Sequence, residues 1–182
     1  RPAGEPSTRG LLRAAAKVEP GQRVLLYQGG FSPHRGLESL ILAANDLPSE
    51  WIVVLMGWGR LQPRLERLAA QIDPKSERIR FLPPVDSQVL REWTADADLG
   101  VIPYENTCLN HWYCSPNKLW EYPVAGVPIL ASPFPELKKE IERSDIGRLL
   151  PDPLDGPGLR RVVESIDEQA LAEMRSNCEK FA

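Results

Sequence analysis

Short apolar runs alternate with amphipathic segments along most of the chain. The runs are rich in β-branched residues and stop at Gly or Pro, which is typical of strands buried on both faces. They predict strands over residues 23–28, 51–56, 79–82, 98–102, 127–131 and 146–150. Apolar residues at helical spacing predict helices over residues 36–46, 62–72, 86–95, 115–124 and 135–143, and from 155 to the end. Asp86 is the expected N-cap of the helix that runs through Ala95. This alternation predicts an α/β fold, a Rossmann-like three-layer α/β/α sandwich with a parallel sheet.

Size and composition fit one globular domain. The chain has 182 residues, of which 42% are apolar and 26% charged, values near the average for globular proteins. Residues 1–22 start at Arg1 and are rich in Pro, Gly, Ser and Arg. We therefore expect a leading linker over 1–22 and one domain over 23–182.

Net charge and hydropathy limit the expected binding partners and cellular location of the protein. The net charge of −3 gives no reason to expect nucleic acid or an anionic membrane as a partner. No apolar run reaches the roughly 18 residues that cross a bilayer, and the start of the chain has no signal-peptide pattern. We expect a cytoplasmic location.

Glycines and prolines cluster where the predicted strands end. Ligands of open parallel sheets bind at the carboxyl ends of the strands, where turn glycines let backbone N–H groups approach a phosphate. Tight turns need glycine in any case, so one glycine pair alone is not specific. The candidates here are Gly29, Gly30, Gly57, Gly59, Pro84 and Val85.

Lys118 is the most informative single residue. Ser115 and Pro116 predict a helix start with Ser115 as N-cap, so Lys118 falls in a first turn that is already electropositive. A bound phosphate would remove this conflict, because charge-assisted hydrogen bonds contribute about 1.5–3 kcal/mol. The alternative is an i,i+3 ion pair with Glu121. Glu121 lies on the same face and can accept hydrogen bonds from a ribose.

The segment around Lys118 resembles a known family. The run Ser-Pro-Asn-Lys-Leu-Trp-Glu-Tyr over 115–122, followed by Ala-Gly-Val-Pro-Ile over 125–129, resembles the C-terminal domain of family-four retaining glycosyltransferases. The resemblance extends over about residues 23–150. It implies one half of a GT-B fold, which binds a nucleoside-diphosphate sugar, and an acceptor-binding domain upstream that also supplies any peripheral membrane contact. It implies no metal and no other cofactor.

The resemblance also implies roles for single residues. Arg35 and Lys118 would act catalytically by neutralising the departing diphosphate. Glu121 would bind the ribose, and the backbone near Pro84 and Val85 would meet the base. The donor-binding set would be completed by Gly29, Gly30, Gly57, Gly59, Ser115, Pro116 and Asn117.

Two departures accompany the resemblance. Phe31 follows Gly30 where many members have an arginine, and Tyr113 replaces a glutamate that many members place near the transferred sugar. The Asn-Lys-Leu run and the loop over 106–114 resemble members that elongate bacterial surface polysaccharides.

Other functions are left open or disfavoured. Cys108, His111 and Cys114 have the spacing of zinc ligands, although the sequence offers no evident fourth ligand. A dehydrogenase fingerprint, a Walker A motif and a nucleophile elbow do not occur in the sequence. A non-catalytic nucleotide-binding or interaction module stays open as the alternative.

Overall fold

A parallel sheet forms the centre of the protein. The computed structural model describes residues 10–107 and 109–181. The strands are β1 (Arg23–Gly30), β2 (Trp51–Trp58), β3 (Ile79–Leu82), β4 (Leu99–Ile102), β5 (Ile129–Ala131) and β6 (Gly147–Leu149). They form one sheet in the order β3-β2-β1-β4-β5-β6, with every neighbouring pair parallel. The predicted Rossmann-like α/β fold is confirmed.

The helices lie on the two faces of this sheet. In chain order they are α1 (Leu11–Ala15), α2 (Leu37–Ala43), α3 (Gln62–Ile72), α4 (Leu90–Thr94), α5 (Leu109–Trp112), α6 (Lys118–Val124), α7 (Pro135–Ser144), α8 (Gly156–Glu164) and α9 (Glu168–Phe181). Helix α2 contacts both α3 and α8, and α1, α4, α6, α7 and α9 form a second connected group. These groups are the outer layers of the sandwich.

The core is densest around the two longest strands. β1 and β2 pair over their full length, from Arg23 opposite Trp51 to Gly30 opposite Trp58. Their central residues are fully buried because helices cover both faces of the sheet. The strand order reverses between β1 and β4, so a crevice is expected beyond the carboxyl ends of these strands.

Two predicted helix caps are wrong. Ser115 does not cap α6, which begins at Lys118 after Asn117 without a side-chain cap. Asp86 does not cap α4, which begins at Leu90, and its carboxylate instead accepts the nearby backbone N–H of Gln88 at 3.0 Å. Both side chains can satisfy local turns, which compete with helix starts. Lys118 nevertheless stays in the first turn of its helix.

Part of the predicted linker is helical. Helix α1 packs on the domain through Leu12, which is fully buried. The Asp96 carboxylate accepts the backbone N–H groups of Gly10 and Leu12 at 2.8–2.9 Å. This cap lies 86 residues from Gly10 in the sequence, so no local signal indicated it. Residues 1–9 lie outside the described residues, and the boundary at residue 23 stays a prediction.

None of the helices in the described part of the chain combines the length and apolarity needed to cross a membrane.

Candidate functional site

A cleft opens at the carboxyl ends of the central strands. Its volume is about 280 Å³, and it lies between the ends of β1, β2 and β3 and the start of α6. Its walls are formed by Gln28, Gly29, Gly30, Met56, Gly57, Trp58, Pro84, Val85, Leu90, Asn117, Lys118 and Glu121. The cleft therefore lies where the strand order predicts a ligand site.

Most of the residues singled out in the sequence meet in this cleft. Those in its wall are Gly29, Gly30, Gly57, Pro84, Val85, Asn117, Lys118 and Glu121. Those outside its wall are Arg35, Gly59, Ser115 and Pro116. The ligand-binding role of each residue stays a prediction.

Two of the glycines are required by packing alone. A Cβ atom at Gly57 would lie 1.9 Å from the carbonyl oxygen of Gly29, and one at Gly59 would lie 2.3 Å from that of Phe31. The ends of β1 and β2 therefore approach too closely for any side chain at these positions. This explains both glycines without a ligand.

Gly29 has a different role, because it makes room for the lysine. Its φ is +123°, and a Cβ atom there would lie 2.8 Å from Nζ of Lys118. The Lys118 amine lies 5.0 Å from the centre of the Tyr27 ring and donates a hydrogen bond to Oη of Tyr104 at 3.4 Å. It therefore lies over the end of β1, with its stem against aromatic rings.

This environment weakens the hold of Lys118 on its proton. Burial, and then the nearby positive charge of Arg35, lower its pKa from 10.5 to about 8. Burial also raises the pKa of Tyr104, so its hydroxyl stays neutral and can accept the bond from the amine. A positive charge on the Lys118 amine is therefore less favourable here than in water.

Arg35 approaches the same tyrosine. Its Cζ lies 4.4 Å from the centre of the Tyr104 ring, and Nζ of Lys118 lies 5.7 Å from that centre. Over residues 10–107 and 109–181, neither cation forms an ion pair with a carboxylate. Two cations thus share one phenol ring beside the cleft, and a bound anion would offset their repulsion.

The Glu121 carboxylate is held by a residue of the sheet, Gln28, and not by Lys118. Its Oε2 accepts a hydrogen bond from Nε2 of Gln28 at 3.0 Å, and Oε1 of Gln28 accepts one from the Thr94 hydroxyl at 2.7 Å. The proposed local ion pair between Lys118 and Glu121 is not formed. Sequence reasoning missed Gln28, although a polar residue at the end of an apolar strand run was a usable signal.

Helix α6 is fixed to the sheet by Tyr122. Its hydroxyl donates to the carbonyl of Leu26 at 2.9 Å and accepts the backbone N–H of Gln28 at 3.2 Å. Burial raises the pKa of this tyrosine well above its usual value. A Cβ atom at Gly100 would lie 2.5 Å from the Tyr122 ring, so glycine lets the ring reach the strands. This anchoring sets the position of the whole first turn of α6.

One wall of the cleft is apolar. Trp58 is 69% exposed although it ends a buried strand. Met56, Val85 and Leu90 line the cleft with it. A flat, weakly polar group would find a stacking partner here.

The remaining sequence candidates lie elsewhere or cannot be placed. Cys108 and the side chain of His111 lie outside the described residues, so the zinc hypothesis stays untested. Among the residues that are described, no group of His, Cys, Asp and Glu side chains could hold a metal ion. Tyr113 is 63% exposed.

Solved structures with similar folds include a complex with UDP and an isolated C-terminal domain. The Anabaena protein HepE in complex with UDP aligns with a TM-score of 0.80 at 20% identity, over 98% of this chain and 48% of that one. The C-terminal domain of LpcC, a glycosyl transferase group 1 family protein from Francisella tularensis, aligns with a TM-score of 0.73 at 15% identity, over 96% of this chain and 91% of that one. The fold is therefore that of the C-terminal domain of LpcC.

Sequence comparison gives the family. D-inositol 3-phosphate glycosyltransferase of Jonesia denitrificans is 24% identical in an alignment 181 positions long, which covers 93% of this chain and 41% of that protein. The chain thus spans less than half the length of this relative. The family described as "Glycosyl transferases group 1" matches residues 22–173. The chain belongs to the glycosyl transferases group 1 family.

Proposed function

We propose that this chain is the donor-binding domain of a retaining glycosyltransferase and binds a nucleoside-diphosphate sugar in the cleft above β1. The observation that carries the proposal is the pair of cations, Lys118 and Arg35, held on Tyr104 with no ion-pair partner among the described carboxylates. Such a pair fits a diphosphate, whose oxygens supply the missing negative charge.

The two cations would act on the leaving group. As the bond between the sugar and the phosphate breaks, negative charge develops on the departing nucleoside diphosphate. Lys118 and Arg35 stabilise this charge more strongly than that of the bound donor, which lowers the barrier. The reaction needs no metal ion for this step, because the protein supplies both positive charges.

The other walls of the cleft would hold the nucleoside. The free oxygen of the Glu121 carboxylate accepts hydrogen bonds from the ribose hydroxyls. The base lies against Trp58 and the backbone of Pro84 and Val85, which line the same cleft. The complex of HepE with UDP supports a nucleoside diphosphate as the ligand class.

The acceptor would bind to a domain that precedes this one in the full protein. Relatives that exceed twice the length of the matched region support such a second domain. We propose a bacterial surface polysaccharide or another glycan as the product, a cytoplasmic location, and membrane contact only through the acceptor domain.

Titration calorimetry of the chain with UDP, GDP, ADP and inorganic pyrophosphate tests the proposal. We expect at least one nucleoside diphosphate to bind more tightly than pyrophosphate. Glu121→Ala should weaken that nucleotide about tenfold, the effect of one hydrogen bond to a charged group, and leave pyrophosphate unchanged. Binding of none of the four ligands would favour the alternative, a non-catalytic interaction module.

A further inference from the structure

Gln28 is a buried polar side chain at the point where β1 meets the cleft. It is 2% exposed, and burying an amide without hydrogen bonds costs free energy. Each polar group of its side chain has a partner, namely Glu121 for Nε2 and Thr94 for Oε1. The chain thus places an amide that is hydrogen-bonded at both its nitrogen and its oxygen where the surrounding strand is apolar.

The chemistry of the partners sets the orientation of the amide. A carboxylate can only accept hydrogen bonds, so the amide must turn its NH₂ group toward Glu121. Its oxygen then faces the Thr94 hydroxyl at 2.7 Å, and the carbonyl oxygen of Leu90 shares the single proton of that hydroxyl at the same distance. The hydrogen bonds therefore run in one direction, from Thr94 on α4 through Gln28 on β1 to Glu121 on α6.

We infer that Gln28 is a positioning residue for the ligand carboxylate of Glu121. Its bond occupies Oε2 of Glu121 and fixes the rotamer of a long side chain, leaving Oε1 for a ligand in the cleft. Thr94 fixes Gln28 in turn. The carboxylate is thereby oriented before the ligand arrives, which lowers the entropic cost of binding. This inference rests on the proposed function, because the ligand group concerned is a ribose diol.

The side chain of Gln28 can be changed without releasing α6. Tyr122 is anchored through the backbone N–H of Gln28 and the carbonyl of Leu26, and neither group belongs to the side chain. Gln28→Met keeps the length and volume of the side chain and removes both of its hydrogen bonds. A defect in this variant would therefore report on the amide.

The test compares ligands with and without ribose hydroxyls. Calorimetry would measure UDP, 2′,3′-dideoxy-UDP and inorganic pyrophosphate with the parent chain and Gln28→Met. We expect UDP to bind about 3- to 10-fold more weakly to the variant, the range of an ordinary hydrogen bond. The other two ligands should bind as they do to the parent. In the double variant Gln28→Met/Glu121→Ala, the loss for UDP should equal that of Glu121→Ala alone, since Gln28 acts through Glu121.

Thr94 provides a second pair of variants if Gln28→Met does not fold. Thr94→Val removes the hydroxyl that holds the amide and should weaken UDP selectively, whereas Thr94→Ser keeps the hydroxyl and should restore parent affinity. Equal losses for UDP and pyrophosphate, additive losses in the double variant, or unchanged UDP binding would each overturn the positioning role. Should the parent bind none of these ligands, the proposed function falls and the inference falls with it.

Discussion

Replacing Lys118 by methionine should stabilise the folded domain and weaken its binding of diphosphates. Methionine keeps the unbranched stem against Tyr27 and removes the charge. The pKa of Lys118 is lowered from 10.5 to about 8, first by burial and then by Arg35. The charged amine therefore destabilises the folded state relative to the unfolded chain.

The size of the effect follows from this pKa difference. At about 1.36 kcal/mol for each pKa unit, the charge costs at most roughly 3 kcal/mol. The amine faces an open cleft, and solvent screening reduces this figure. Loss of the hydrogen bond to Tyr104 offsets a further fraction, about 0.5–1 kcal/mol. We expect Lys118→Met to raise the free energy of unfolding by about 1–2 kcal/mol at pH 7.

The gain should disappear at high pH. Between pH 8 and 10.5 the folded parent binds fewer protons at Lys118 than the unfolded parent, so the contribution of this residue to stability rises with pH. Above pH 10.5 the amine is neutral in both states and the variant keeps no electrostatic advantage. Urea unfolding of both proteins at pH 7, 8.5 and 10.5 measures the difference. Lys138→Met is the control, because Lys138 is exposed and should show no such trend.

Added UDP should remove most of the stability difference between Lys118→Met and the parent. Saturating ligand stabilises the two proteins by amounts that differ by the loss in binding free energy, about 1.5–3 kcal/mol for a charge-assisted hydrogen bond. UDP affinity of the parent should also fall above about pH 8, as the free lysine loses its proton. A variant that is less stable than the parent at pH 7, or that binds UDP equally well, would refute this reasoning.

Three further substitutions test how the site is built. Gly29→Ala should lower the free energy of unfolding by about 1–3 kcal/mol and weaken diphosphate binding, because the new methyl group meets the Lys118 amine at a positive φ. Gly30→Ala is the control, since its nearest contact is at 3.6 Å. Its stability in urea unfolding should be nearly unchanged. Trp58→Ala should weaken UDP by about 1 kcal/mol and leave pyrophosphate unchanged in calorimetry, and Trp58→Phe should retain most of the affinity. Asp96→Ala should cost about 1–3 kcal/mol of unfolding free energy by removing the cap of α1, and limited proteolysis should then cut near that helix; unchanged cleavage would contradict the capping role.

Local patterns in the sequence predicted the framework of the site. Unbroken apolar runs predicted the strands, because a parallel strand covered on both faces has no polar side to display. Glycines after β1 and β2 marked the strand ends. The unusual lysine at the start of a helix indicated an anion site, and the structure places its amine over the end of β1.

Local patterns failed at the helix caps. Ser115 and Asp86 are residue types that favour helix N-caps. Neither caps a helix, because α6 and α4 begin further along the chain. The true cap of α1 is Asp96, which reaches a segment that looked like a linker. Cap residues also suit turns, so sequence alone does not separate the two uses.

The sequence by itself determined which faces are buried, since the periodicity of apolar residues encodes burial directly. Only the tertiary structure decided which polar groups meet across the cleft. The bond from Gln28 to Glu121 spans 93 residues. The Lys118 amine contacts Tyr27 and Tyr104, and the charge of Arg35 lowers its pKa, although all three residues come from other segments. Such contacts depend on how helices cross the sheet and on the space that glycines leave, which no local pattern records.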